Sequence, residues 1–206
     1  RGIHLQDGTL NYQAYGKEGE AIFSLSRGIL NRKMVDLAEK EGVNFFFEHK
    51  IWDVNLATAT LLQGDSEQGN WTELKYDKVF GADGAFSRIR HRMQRQSMFD
   101  YSQEFMKIGY KELYIPANAD GSAKIDSNSL HIWPRGNFML MGLANLDNSF
   151  TCTLFMPIEG ENSFAKIKDV NSLVNFFDKY FPDTKEVIPD LVRDFFKNPT
   201  SYLAIM

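Results

Sequence analysis

Apolar residues recur along this chain with two different periods, and the switches between them mark out the elements. Residues 2–5 and 9–15 are short extended runs on either side of Asp7-Gly8, a good hairpin signal. A polar loop at 16–20 leads to a third extended run at 21–26. From Arg27 the period lengthens: Ile29-Leu30, Met34 and Leu37-Ala38 share one face of a helix, and Gly42 is placed to cap it. Residues 43–49 then read as a strand, and helix followed by strand is half of a crossover unit in a parallel sheet. Two more strands are predicted at 51–62 and 71–76, joined by the polar loop 63–70. Lys78-Val79-Phe80 leads directly into the turn Gly81-Ala82-Asp83-Gly84.

Beyond a basic helical segment the period returns to two. Strands are predicted at 108–115, 129–133, 137–143 and 150–156, and their short connections make an antiparallel sheet. In Asn137-Phe138-Met139-Leu140-Met141-Gly142-Leu143 both faces are apolar, so this sheet lies between two layers or floors a pocket. Residues 162–198 are mostly helical, with Val170, Leu173-Val174, Phe176-Phe177 and Tyr180-Phe181 on one face and Pro182 as a stop. A second helix is predicted at 186–197. The pattern is therefore α/β: a nucleotide-type half over residues 1–100 and a sheet-plus-helix half over 101–206. The chain opens on Arg1-Gly2-Ile3-His4 and closes inside an apolar, strand-like run at 202–206, which leads to the expectation of an interior piece of a larger protein.

Composition narrows the chemistry. The 17 phenylalanines call for apolar surfaces covered by packing, a partner or a flat ligand. A net charge of −4, from 23 basic and 27 acidic residues, argues against nucleic acid as a partner. The single Cys152 sits in an apolar strand and reads as a small core residue in a reducing compartment. No apolar run approaches the roughly 20 residues of a membrane-spanning helix. His4, His49, His91 and His131 are scattered without metal-ligand spacing, with His49 and His131 read as structural, and no nucleophile elbow is present. No residue is a candidate for acid/base or nucleophilic catalysis.

What remains is Gly81-Ala82-Asp83-Gly84-Ala85-Phe86-Ser87-Arg88-Ile89-Arg90. Strand, glycine turn and helix in that order aim backbone N–H groups and the helix dipole at an anion. Ser87 suits the N-cap, and Asp83 can accept from a ribose hydroxyl or orient the loop. Arg88, Arg90, His91, Arg92 and Arg95 crowd the start of the helix, where cations are disfavoured unless an anion lies nearby. Arg27 stands at the start of the earlier helix in the same unfavourable setting and could reach a diphosphate or a flavin edge.

The spacing Gly-x-Asp-Gly-x-x-Ser-x-x-Arg resembles the second flavin-site motif of the class A FAD-dependent aromatic hydroxylases. With Phe99-Asp100-Tyr101-Ser102-Gln103, His131-Ile132-Trp133-Pro134-Arg135, residues 149–157 and Phe176-Phe177-Asp178-Lys179-Tyr180-Phe181-Pro182-Asp183, nearly the whole chain resembles the kynurenine 3-monooxygenase family, its fungal members in particular. The resemblance implies part of a Rossmann-like FAD-binding domain of the glutathione-reductase type, followed by an antiparallel substrate-binding sheet with helices. It also implies FAD, NADPH and O₂ as cofactors and co-substrate, and L-kynurenine hydroxylated at the ring 3-position through a flavin hydroperoxide. By motif, Arg1 and Tyr15 match the pair that holds the substrate carboxylate. Phe155, and Leu140 more weakly, match the ring pocket. Arg27, Ile51, Asp83, Gly84 and Arg88 match cofactor-binding positions. The family's location on the cytosolic face of the mitochondrial outer membrane depends on a C-terminal part outside these residues.

The pattern departs from the family in that the N-terminal Gly-x-Gly-x-x-Gly, the later Gly-Asp ribityl motif and the C-terminal part that completes the substrate site do not occur in these residues. The expectation is that these residues alone hold FAD weakly. Two other readings stay open at this point, a class A hydroxylase of another aromatic acid and a non-catalytic binding module.

Overall fold

A computed structural model of the chain describes residues 1–66 and 68–205. Glu67, within the expected polar loop, and Met206, at the end of the expected terminal strand, lie outside the described residues. In chain order the elements are β1 (Gly2–His4), β2 (Leu10–Tyr12), α1 (Arg27–Lys40), β3 (Ile51–Asn55), β4 (Thr60–Gln63), β5 (Thr72–Lys75) and α2 (Arg88–Met93). They continue with β6 (Glu104–Ile115), β7 (His131–Arg135), β8 (Phe138–Ala144), β9 (Phe150–Pro157), α3 (Val170–Tyr180), α4 (Leu191–Lys197) and β10 (Ser201–Ile205). The chain is mixed α/β and divides into two compact units, residues 1–33 with 105–203, and 34–104 with 204–206. The sequence division near residue 100 groups the N-terminal hairpin with the nucleotide half, whereas its strands pair into the sheet of the first unit.

That first unit is built on a seven-stranded sheet in the order β10-β6-β9-β8-β7-β1-β2. The β6–β9, β9–β8 and β8–β7 pairs are antiparallel, as the short connections predict. β1 adds to β7 in parallel and carries β2 as a hairpin partner. Alternation decides which side chains are covered: Phe150, Cys152, Leu154 and Met156 of β9 are buried, while Thr151, Thr153 and Phe155 face the other way. The buried row meets Phe138, Leu140 and Trp133 and is closed by Leu173, Phe177, Phe181, Ile188 and Phe195 from the helical segment. Each such side chain contributes about 1.5–3 kcal/mol of transfer free energy. Inside this layer, burial pushes the Cys152 thiol up to about 12, which keeps it protonated and unreactive.

Local chemistry sets the helix ends. Asp169 and Ser172 form a capping box at the start of α3, with the Asp169 carboxylate accepting from Ser172 N–H at 2.8 Å. Pro182 follows the end of α3, where Phe181 N–H closes on Phe177 C=O at 2.7 Å. Lys111, on the buried side of β6, donates to the carbonyls of Phe195 and Asn198 at 2.9 and 2.6 Å and ties down the end of α4.

The second unit holds the antiparallel sheet β3-β4-β5, the later turns of α1, the glycine turn and α2. The single strand expected over 51–62 is two strands with a turn between them, where Asn55 Oδ1 accepts from Ala57 N–H at 3.1 Å and Ala59 is left-handed at φ 51°. The strands expected at 21–26, 43–49 and 78–80 do not form among the described residues, so the predicted helix-to-strand half of a parallel crossover is absent from them. A strand is a property of a pair: these runs have the composition but no hydrogen-bonded neighbour. Their aromatic side chains stay open, with Phe23, Phe46, Phe47 and Phe80 all exposed. The helix α1 forms as its period predicts and ends at Gly42 with φ 86°, but its apolar stripe of Ile29, Leu30, Met34 and Leu37 is uncovered.

Candidate functional site

The glycine turn gathers most of the cofactor candidates, though not by exposing a helix end. Asp83 Oδ2 accepts from Arg88 N–H at 2.8 Å and from Ile89 N–H at 3.4 Å. Ser87 Oγ accepts from Arg90 N–H at 2.9 Å. The first three N–H groups of α2 are therefore satisfied within the turn, which corrects the expectation that they face a ligand's anion. Burial raises the Asp83 carboxyl, but hydrogen bonds from Ser87, Ile89 and Arg88 outweigh it and hold the group below the ordinary carboxylate range. Gly84 is left-handed at φ 78° with open space where a Cβ would stand, so the backbone angle rather than crowding calls for glycine.

The basic residues of α2 are spent largely on their own unit. The Arg88 guanidinium lies 4.5 Å from the Trp52 ring centre and donates to Trp52 C=O at 3.4 Å. Arg90 donates to the carbonyls of Gly84 and Ala85 and lies over the Tyr101 ring. Arg92 pairs with Asp53 at 3.5 Å, and Arg95 reaches His91 at 3.3 Å. Their crowding at the helix start thus has a structural explanation in the sheet beneath.

Ile51, Asp83 and Arg88 nevertheless line one cleft of about 440 Å³, together with Leu61, Val79 and Phe80. Apolar walls with a carboxylate and a guanidinium at the edge suit a flat heteroaromatic group with polar margins, which a part of FAD would satisfy. Arg27 is the exposed first residue of α1 and belongs to the other compact unit.

Substrate candidates divide by sheet face. Arg1 and Tyr15 come together, the guanidinium 4.7 Å from the ring centre, and Arg1 Nη1 donates to Gln13 Oε1 at 3.4 Å. Both line an open cleft of about 510 Å³ with Gln13, Glu20, Ser129 and Asn145. Phe155 is half-buried on the sheet face away from the helices, paired with Met139 and 5.9 Å from the Tyr110 ring. Leu140 is fully buried on the opposite face, opposite Leu154 in the helix-covered core. One ligand on the Phe155 face does not touch Leu140. Because both faces of β8 are apolar, alternation alone could not say which one the helices would cover.

The sequence reading missed one cluster altogether. At the β1–β7 seam His4 and His131 meet Trp133 and Asp183 from distant points of the chain. Neither histidine has a chemically suggestive neighbour in sequence, and only the parallel pairing of β1 with β7 brings them together. Among the described residues no group of three or more His, Cys, Asp or Glu is placed to hold a metal ion, and no helix is long and apolar enough to cross a membrane.

No protein-family model matches the chain. Over all 206 residues it is 68% identical to the kynurenine 3-monooxygenase of Flavobacterium johnsoniae and 66% identical to that of Flavobacterium psychrophilum. A kynurenine 3-monooxygenase of Dictyostelium discoideum is 42% identical over 205 residues. The chain spans about half the length of the curated relatives it matches, 46% of each Flavobacterium protein. The two Flavobacterium relatives are bacterial, where the sequence reading expected a fungal likeness. Among solved structures, a tetrameric form of 2-methyl-3-hydroxypyridine-5-carboxylic acid oxygenase shares the fold, with a TM-score of 0.70 at 14% identity over 98% of this chain and 51% of that one. Klebsiella pneumoniae HpxO, solved with FAD and uric acid, matches 87% of this chain and 42% of its own, with a TM-score of 0.57 at 13% identity.

Proposed function

We propose that the protein containing these residues is a kynurenine 3-monooxygenase, an FAD-dependent enzyme that hydroxylates L-kynurenine to 3-hydroxykynurenine with NADPH and O₂. The observation that carries this reading is the 68% identity extending over all 206 residues, including the Gly81 to Arg90 turn and the sheet. The fold shared with an oxygenase of an aromatic acid supports it, as does a fold neighbour solved with FAD. In the overall reaction one oxygen atom enters the ring, the other leaves as water, and NADPH supplies two electrons.

Bound FAD would supply the redox and oxygen chemistry, so no side chain need act as acid, base or nucleophile. The chain's own residues bind and orient. Arg1 offers a guanidinium fork to the substrate carboxylate, with the Tyr15 phenol beside it. Phe155, with Tyr110 and Met139, offers an apolar wall for an aromatic ring. Ile51, Asp83, Gly84 and Arg88 belong to the flavin side by their shared turn and cleft, and Arg27 by its motif. The mitochondrial outer membrane implied by the resemblance does not enter this reading, because the Flavobacterium relatives come from organisms without that organelle.

The test is to add L-kynurenine to the full-length protein and follow NADPH oxidation and product together. Substrate-triggered oxidation with 3-hydroxykynurenine formed is expected. Oxidation yielding only peroxide, or none, would reject the assignment in favour of another aromatic substrate or a binding role.

A further inference from the structure

Residues two apart on a strand share a face, and the pairing registers carry that rule across β6, β9, β8 and β7. Tyr110 of β6 stands opposite Phe155 of β9, which stands opposite Met139 of β8. The next row runs from Glu112 through Thr153 and Met141 to Ile132, and the row after it holds Tyr114, Thr151 and Leu143. These rows lie on the face away from the helices, because the residues between them, among them Leu113, Cys152 and Leu140, are buried in the core.

A second sheet face that meets water is ordinarily polar at alternate positions. This one carries Tyr110, Ile132, Met139, Met141, Leu143 and Phe155, which is the lining of a face that something covers. Within those rows Glu112 is the one acid or base among the described residues. Its side chain is exposed, and its carboxylate has no hydrogen-bond or ion-pair partner among the described residues. A carboxylate that loses water when its face is covered needs a donor in return.

Position and support both favour Glu112 as a recognition group. It is the diagonal neighbour of Phe155 on adjacent antiparallel strands, a separation of about 7–8 Å that a long side chain bridges. At the end of α4, Asn198 Nδ2 donates to the Glu112 carbonyl at 2.7 Å, and Lys111 beside it is tied to the carbonyls of Phe195 and Asn198 at 2.9 and 2.6 Å. The carboxylate therefore stands on a backbone that is fixed in place. Further along the same face, Leu143 lines the cleft that holds Arg1 and Tyr15. The Phe155 wall, the Glu112 carboxylate and the Arg1 cleft share one side of the sheet.

The substrate of the proposed reaction is an aryl amine whose amino group is ortho to a ketone. One amine N–H closes on the ketone oxygen within the molecule, and the other points outward in the ring plane, toward the ring 3-position. We infer that the Glu112 carboxylate accepts this outward N–H, and so selects a ring that bears the amine and fixes the edge at which the hydroxyl enters. An N–H donated to a carboxylate is charge-assisted, short and directional. The α-ammonium is the other donor that the substrate carries, but it is attached beside the carboxylate that Arg1 grips, at the Leu143 end of the face. The inference rests on the reading of L-kynurenine as substrate and of Phe155 as its ring wall.

Titration calorimetry on the full-length holoenzyme tests it, with L-kynurenine and the analogue that lacks only the ring amine as the two ligands. Glu112→Leu should weaken L-kynurenine binding roughly tenfold, the loss of one charge-assisted bond, and leave the Kd of the analogue unchanged. Glu112→Gln keeps a carbonyl acceptor without the charge and should lose less, again for L-kynurenine alone. That variant carries the test by itself if the leucine variant does not fold. Equal losses for both ligands would put the carboxylate on the α-ammonium or in the fold and overturn the inference, as would no loss for either. Native enzyme that bound the analogue as tightly as L-kynurenine would overturn it too. Native enzyme that bound neither would reject kynurenine as the substrate, and this role of Glu112 with it.

Discussion

At Arg1, a charged contact tests the substrate grip. Truncation to alanine in the full-length enzyme should raise KM through loss of a charge-assisted bond of about 1.5–3 kcal/mol, tenfold or more, with kcat less affected. An unchanged KM would remove Arg1 from the site. Leu140 and Phe155 make a second pair of tests, because they face opposite sides of one sheet. Leu140→Ala should cost about 2–5 kcal/mol of stability as a core cavity, read from denaturant melts, and leave the KM of the folded fraction unchanged. Phe155→Ala should cost less stability and raise KM. The reverse pattern would mean that the helix-covered face is the functional one. The family motif brought Arg1, Tyr15 and Phe155 forward, but side-chain direction on a doubly apolar strand was not legible from the sequence.

The glycine turn with α2 shows how an element can be read correctly and used differently. Ser87 as N-cap and a helix from Arg88 were legible, because Ser before a helical run supplies an acceptor for a free N–H. That Asp83 would also fold back on Arg88 N–H and Ile89 N–H was not legible, since the angle of the turn decides it. Ser87→Ala should destabilise this unit by about 1 kcal/mol, seen as a lower midpoint in urea. The Asp83 contribution has a defined pH sense: held below its ordinary range, it is fully present above about pH 4 and fades as pH falls through the lowered value. The capping box of α3 and the Pro182 stop follow from local chemistry and were equally legible in kind. The runs at 43–49 and 78–80 were read as strands from composition and failed, because pairing is not a local property.

For the whole molecule, the cofactor side sets the clearest expectation. Within the described residues the α2 N–H groups are internally satisfied and the cleft of Ile51, Asp83 and Arg88 is about 440 Å³, room for part of a dinucleotide. Residues 1–206 produced alone should hold FAD weakly, and flavin absorbance copurifying at one equivalent would overturn that expectation. Sequence alone determined what depends on near neighbours and on period. That includes the helices α1 and α3, the four alternating strands from 108 to 156, and the Ser87 cap. Tertiary structure alone decided which face of the large sheet is core, that β1 pairs in parallel with β7, and that His4 and His131 meet beside Trp133 and Asp183. The physical reason is that caps, turns and amphipathic faces are set by residues a few positions apart, whereas burial and strand pairing are set by groups that only the fold brings together.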